Sequence, residues 1–304
     1  MEFVGRVWAI RSEVAEHLRA RLELGGVAAA RGELPGPMAG RSLEASLMAV
    51  SDPPDGGSGG ALRGGSVAVI PIFGTITQHG GYWGTSLDGL VAAIARALAD
   101  QDVRALVFNV DSPGGEVYGL TEAAKLIREA GRMKPIVSAV NSLAASAAFW
   151  VAAQATELLI PPSGEAGSVG IYGMHVDMSA ALEKEGFKVR MISAPKGGAK
   201  TEGNPYEPLS DEAAAAMQEA VDRYYAMFLA DLAAGRKKPS KDVEANFGQG
   251  RVVGAKDAVA RGMADGLGTL ADAIRRANAL AVARRRSTAA LQEAQAISAR
   301  LGLP

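Results

Sequence analysis

The chain has 304 residues, 48% hydrophobic and 21% charged, which allows one large globular domain or two small ones with a sizeable core. Its net charge of −1 gives no overall field that would draw nucleic acid or an acidic membrane. The absence of cysteine excludes disulfides, thiolate metal sites and a cysteine nucleophile, and fits a reducing compartment.

Residues 1–48 mix charged and apolar positions and predict a helical N-terminal segment. Glu2, Arg6, Arg11, Glu13, Glu16 and Arg19 interrupt its apolar residues, so it does not read as a secretory signal. No apolar run is long enough for a membrane helix. Residues 49–65 are dense in Gly, Pro and Ser and read as a flexible linker. A new texture begins at Ser66. SVAVIPIFGTIT predicts a buried strand, and SLDGLVAAIARALAD a helix capped by Ser86. RALVFNV is a strand that runs into Asp111-Ser112-Pro113-Gly114-Gly115. GLTEAAKLIREAGRM is a helix with Thr121 as cap, KPIVSAV a strand, and SLAASAAFWVAAQA a small-residue segment of helical length. TELLIPP and KVRMISA predict further strands, and 210–236 a long helix capped by Ser210 and ended by RKKP. GRVVGAKDAVARGMADGLG reads as strand, short helix and turn. Strands alternating with helices predict βαβ units in a mostly parallel sheet, here a domain over 66–272. The remainder, 273–304, predicts a basic, Ala-rich helical tail carrying Arg275, Arg276 and Arg284 to Arg286.

Three local constellations offer chemistry. The paired glycines at 114–115 let the backbone turn tightly and present amides to an oxyanion or a substrate backbone; an ordinary strand–helix turn accounts for them as well. Ser146 sits among alanines that leave room around its hydroxyl. A helix starting there would aim the Ala147 amide at developing negative charge, but a serine in a packed Ala-rich helix fits too. The segment SAPKGGAKTEGNP holds Lys196 and Lys200, either of which becomes a base only when desolvated; a solvated Gly-rich loop is the plain alternative. The rival base is histidine. His17 precedes the linker, His79 lies in a glycine-flanked turn, and His175 has Asp177 nearby, which leaves a Ser146–His175–Asp arrangement conceivable. Three scattered histidines and no Walker loop leave no metal site and no cofactor to expect.

Taken in order, DSPGG, NSLAASAAFWVA, GSVGIYG and SAPKGGAKTEGNPYEPLSDEA resemble the signal peptide peptidase A (protease IV) family of Ser–Lys peptidases from about Ser66 to Leu270. The wording GMHVDMSAALEKEGFKV and KTEGNPYEPLSDEA resembles its phage capsid assembly protease branch, which includes minor capsid protein C of lambdoid phages. The resemblance implies an α/β fold of the crotonase/Clp-protease type and a serine endopeptidase. It implies Ser146 as nucleophile, Lys200 as general base with Lys196 as near miss, and Ser168 of Gly167-Ser168-Val169-Gly170 orienting the lysine. It places the oxyanion hole on the backbone of Gly114 or Gly115 and of Ala147, with Ser112, Pro113 and Gly170 against substrate. Ala147 and Ala148 stand where the family usually has glycines. The family's cellular members have a membrane anchor that this sequence lacks. The implied substrates are scaffold, capsid or portal proteins, in the host cytoplasm or procapsid interior, cut by a homo-oligomer whose neighbouring subunits complete each site. A cytosolic housekeeping peptidase of the same family, a crotonase-like acyl-CoA enzyme and a non-catalytic assembly protein are the other classes left open.

Overall fold

The structure is a computed structural model, and it describes residues 8–10, 46–49, 66–79 and 84–301. Its centre is a sheet whose strands run, from edge to edge, Gly266–Leu267, Glu157–Ile160, Ile136–Ala145, Val103–Glu116, Ser66–Thr77 and Ser46–Ala49. The long members are β3 (Ser66–Thr77), β5 (Val103–Glu116) and β6 (Ile136–Ala145). They pair in parallel, Val69 opposite Val107 and Val107 opposite Val137. The edges are β7 (Glu157–Ile160) with β10 (Gly266–Leu267), and β2 (Ser46–Ala49), which is antiparallel to β3. Short strands finish the upper rim. β4 (Gly84–Ser86) joins β3, β8 (Glu165–Gly167) joins β6, β9 (Val252–Gly254) joins β8, and β1 (Trp8–Ile10) joins β5 antiparallel.

Both faces of the sheet are covered, which is why its strands are apolar at nearly every position. One set of alternate residues, Ile70, Ile72, Leu106, Phe108, Val110 and Val140, packs under α1 (Leu87–Ala99), α2 (Leu120–Met133), α3 (Ala147–Ala152) and α5 (Asp211–Arg236). The other set, Val67, Val69, Ala105, Val107, Val137 and Ala139, packs on Ala273, Ala277 and Ala281 of α8 (Leu270–Leu301). An alanine every fourth residue gives α8 a smooth stripe that lies close to the strands. The remaining helices are short: α4 (Ser179–Lys184), α6 (Ser240–Asn246) and α7 (Ala255–Ala260).

The predicted mostly parallel α/β sheet is the one observed. Ser86 and Ser210 cap α1 and α5, accepting from the amides of Gly89 at 3.0 Å and Ala213 at 3.2 Å. Four readings need correction. Gly119, at φ 78°, and not Thr121, stands at the N-cap of α2. Asn141–Ala145 continues β6 rather than opening a helix, because β8 offers it a pairing edge. The β-rich run KVRMISA at 188–194 is not a strand: it is exposed throughout and has no neighbour to share a ladder with. The C-terminal helix is not a separate tail, since its first turns form the back layer of the domain. The predicted helical segment 1–48 and linker 49–65 fall almost wholly outside the described residues; the described pieces, Trp8–Ile10 and Ser46–Ala49, are strands. Among the described residues no helix is long and apolar enough to cross a membrane.

Candidate active site

Ser146 stands where β6 ends and α3 begins, with φ 55° and ψ −119°. That region is strained for a residue with a Cβ and is kept only when the surroundings enforce it. Two backbone bonds do so. The Ser146 amide donates to the Gly167 carbonyl at 2.7 Å, and the Ser146 carbonyl accepts from the Trp150 amide at 2.8 Å. A sharp strand-to-helix turn of this kind puts a serine side chain at the top of the sheet. The hydroxyl is buried and has no hydrogen-bond partner among the described residues. A buried hydroxyl left so costs about 1–3 kcal/mol.

Ser168 lies beside it. Ala145 pairs with Gly167 in the parallel β6–β8 ladder, so Ser146 and Ser168 are the next residue on each strand. Both turn with the same positive φ, 55° and 54°. The Ser168 amide donates to the Arg251 carbonyl at 2.8 Å, which ties this second turn to the loop before β9. Gly167, at φ 130°, must be glycine: a Cβ there would meet that same carbonyl at 2.6 Å. The GSVG segment is therefore a second elbow built against the first.

The glycine turn forms the other wall. Gly115 lies so close to β3 that a Cβ would meet the Ile76 carbonyl oxygen at 1.8 Å. Ser112, expected against substrate, sits inside this turn. It is fully buried, donates to the Gly74 carbonyl at 2.6 Å and accepts from the Gly114 amide at 3.2 Å, so it fixes the turn's shape from within. At the rim Ser142 donates to the Asp111 carboxylate. Pro113 and Gly170 are half-buried.

The helix behind Ser146 is held by a buried polar cluster that the sequence did not suggest. Trp150 Nε1 donates to Asp231 Oδ2 at 3.0 Å, and Arg128 pairs with Asp231 Oδ1 at 3.0 Å. Arg128 also donates to Gln154 Oε1 at 2.5 Å, and Gln154 Nε2 donates to the Trp150 carbonyl at 2.7 Å. Trp150 stacks on Phe228 with ring centroids 4.2 Å apart. The chain from Ser146 to Gln154 is thus bolted to α2 and α5.

None of the predicted bases is hydrogen-bonded to Ser146. Lys200 lies in a 3-10 turn, Gly198–Thr201, and is exposed, as is Lys196. The Ser146 hydroxyl has neither a lysine nor His175 as hydrogen-bond partner. His175 has both ring nitrogens buried without a partner, and the Asp177 carboxylate turns instead to the Ser179 amide at 2.8 Å. Hydrogen bonding from Ser179, more than the His175 charge, holds the Asp177 carboxyl below its usual range. No Ser–His–Asp relay is assembled. The segment 177–203 is exposed almost throughout, with Phe187 60% and Ile192 86% accessible.

Tyr172, at the root of that segment, has a buried hydroxyl with no partner, and burial pushes its pKa above the usual 10.0. Burial also raises Tyr225. Above pH 10 the unfolded chain loses protons that the folded chain retains, so stability falls as pH rises through the folded values. Tyr172→Phe should leave stability at pH 7 equal or about 1 kcal/mol higher and flatten the loss above pH 10 in urea titrations.

The profile of peptidase family S49 matches residues 128–284, which contain both elbows and the Lys200 segment. The chain belongs to that family. Its S49 relatives include head-tail preconnector protein GP5 of Enterobacteria phage P21, 31% identical over 68% of this chain and 42% of that one. Capsid assembly protease C of Escherichia phage lambda is 30% identical over 68% of this chain and 48% of that one. Protease 4 of Salmonella typhi is 30% identical over 73% and 35%. The chain spans less than half the length of these curated relatives.

Proposed function

We propose that this S49 chain is a serine endopeptidase with Ser146 as nucleophile, Lys200 as general base and Ser168 as the residue that orients the lysine. The observation that carries the reading is the strained, buried and unpartnered Ser146 hydroxyl beside the Ser168 elbow. Neutral Lys200 takes the Ser146 proton while the oxygen attacks a peptide carbonyl. The oxyanion rests on the backbone amides of Gly114 or Gly115 and of Ala147. Lys200 then protonates the leaving amine, and water hydrolyses the acyl-enzyme.

Lys200 reaches a serine on a neighbouring copy. The exposed apolar side chains of its segment, Phe187, Val189, Met191 and Ile192, support this, because they need cover that the single chain does not supply. The substrates are phage head proteins, namely scaffold, capsid or portal proteins, and the chain itself; the names of the P21 and lambda relatives support that assignment. The place of action is then the host cytoplasm or procapsid interior.

The test uses casein cleavage and fluorophosphonate labelling of the full chain. Lys200→Ala is expected to lose about four orders of magnitude or more in rate, whereas Lys196→Ala and His175→Ala stay active. Mixing inactive Ser146→Ala with inactive Lys200→Ala restores a fraction of the activity when sites are shared between copies. Loss with His175→Ala alone would overturn the lysine assignment.

A further inference from the structure

One short strand, β1, lies off the main order of the sheet and pairs with β5. β5 is flanked by β3 on one side from Val103, opposite Ser66, to Gly115, opposite Ile76. On its other side β6 accompanies it only as far as Ser112 opposite Ala144. There β6 turns away at Ser146, and the edge of β5 from Gly114 to Glu116 is vacated. β1 fills that vacancy. Ile10 pairs with Gly114, Ala9 with Gly115 and Trp8 with Glu116, antiparallel.

The register fixes where this strand points. Ala144, opposite Ser112, is two residues short of Ser146, and Ile10 sits opposite Gly114, two residues past Ser112. β1 therefore runs along the glycine turn toward the Ser146 elbow, with Ile10 as its nearest paired residue. Beyond Glu116, at the other end, lies a groove of about 710 Å³ lined by Gln78, Val117, Tyr118, Tyr224 and Met227 among others. A peptide laid on this edge has main-chain partners over the glycines and a trough to continue into. That is strand addition to an open sheet edge, where backbone hydrogen bonds supply affinity for any extended segment.

We infer that the Gly114–Glu116 edge is a strand-binding surface beside Ser146, and that residues 8–10 of the chain are its resident occupant, an inhibitory strand that a substrate must displace. The inference rests on the functional reading above, because only a peptide-cleaving Ser146 makes the occupied edge a substrate site. An occupant held in cis lowers apparent substrate affinity by the fraction of time the edge is open. It leaves the chemical step untouched once substrate is seated.

The experiment compares the full parent chain with two strand-breaking versions. Alternate amides of an antiparallel strand face its partner, so Ala9→Pro removes one parity of donors and the double change Trp8→Pro with Ile10→Pro the other. At least one version should cleave a fluorogenic casein with KM about 3- to 10-fold lower at unchanged kcat, and label faster at Ser146 with a fluorophosphonate. A synthetic peptide of residues 6–12, added in trans, should inhibit that version competitively and the parent more weakly. Parental KM and labelling rates in both versions, with cleavage still abolished by Ser146→Ala, would overturn the inhibitory strand and leave the peptidase reading standing. Undiminished cleavage by Ser146→Ala would overturn the reading itself. A variant that fails to fold is replaced by the trans peptide titrated on the parent, where absence of inhibition overturns the inference.

Discussion

The chain carrying Ser146→Ala should be at least as stable as its parent and should cleave substrate four to six orders of magnitude more slowly. The two halves of that expectation have one origin. Removing a nucleophile in a site of this kind costs about 10⁴ to 10⁶ in kcat, with residual rate from the oxyanion donors and binding. The same hydroxyl is buried without a partner, so its loss relieves a desolvation penalty of about 1–3 kcal/mol. Alanine keeps the Cβ, so the strain at φ 55° stays and the turn is not reshaped. Urea unfolding and casein cleavage on one preparation check both halves. A large drop in stability would mean that the hydroxyl holds the fold, and undiminished cleavage would remove Ser146 from the chemistry.

Asp231→Ala should cost about 3–5 kcal/mol of stability. Asp231 is 6% exposed, and its carboxylate satisfies two groups at once, the Trp150 indole and the Arg128 guanidinium. Alanine leaves Trp150 Nε1 without an acceptor, and leaves Arg128 a charge with only Gln154 to bind. Asp231→Asn can still accept from the indole and should lose roughly half as much. Because Trp150 donates its amide to the Ser146 carbonyl, the loosened helix also frees the strained turn. Urea midpoints give the stability loss. Fluorophosphonate labelling below the unfolding transition should slow in step with it, whereas a cluster that merely filled space would leave labelling unchanged.

What the sequence reveals here follows the range of the interactions involved. The strands from Ser66 to Ile160 announce themselves through apolar runs, and the caps at Ser86 and Ser210 through side-chain chemistry confined to a few residues. The geometry of Ser146 could not be read locally. Its positive φ is imposed by the Gly167 carbonyl, 21 positions away, and no residue type near it demands that conformation. The ordered motifs pointed to it through family resemblance, and the Ala145–Gly167 register explains why Ser146 and Ser168 stand together. Asp231 escaped notice because an acid inside a long amphipathic helix looks like a solvated position until Trp150 and Arg128 are folded onto it. Trp8–Ile10 was hidden for the same reason: three residues in a mixed stretch have no period of their own, and only the vacated edge of β5 makes them a strand. The run 188–194 shows the converse, β-prone composition with nothing to pair with.

The alanine stripe of α8 has a practical consequence for anyone who cuts or extends this protein. The C-terminal helix looks removable in the sequence, yet Ala273, Ala277 and Ala281 are the seal over Val67, Val107 and Val137. A deletion that begins before Ala281 would unroof one side of the sheet and yield an aggregating product, however intact the serine. Past Ala281 the buried stripe ends and Arg284, Arg285 and Arg286 are exposed. Fusion tags and truncations belong there.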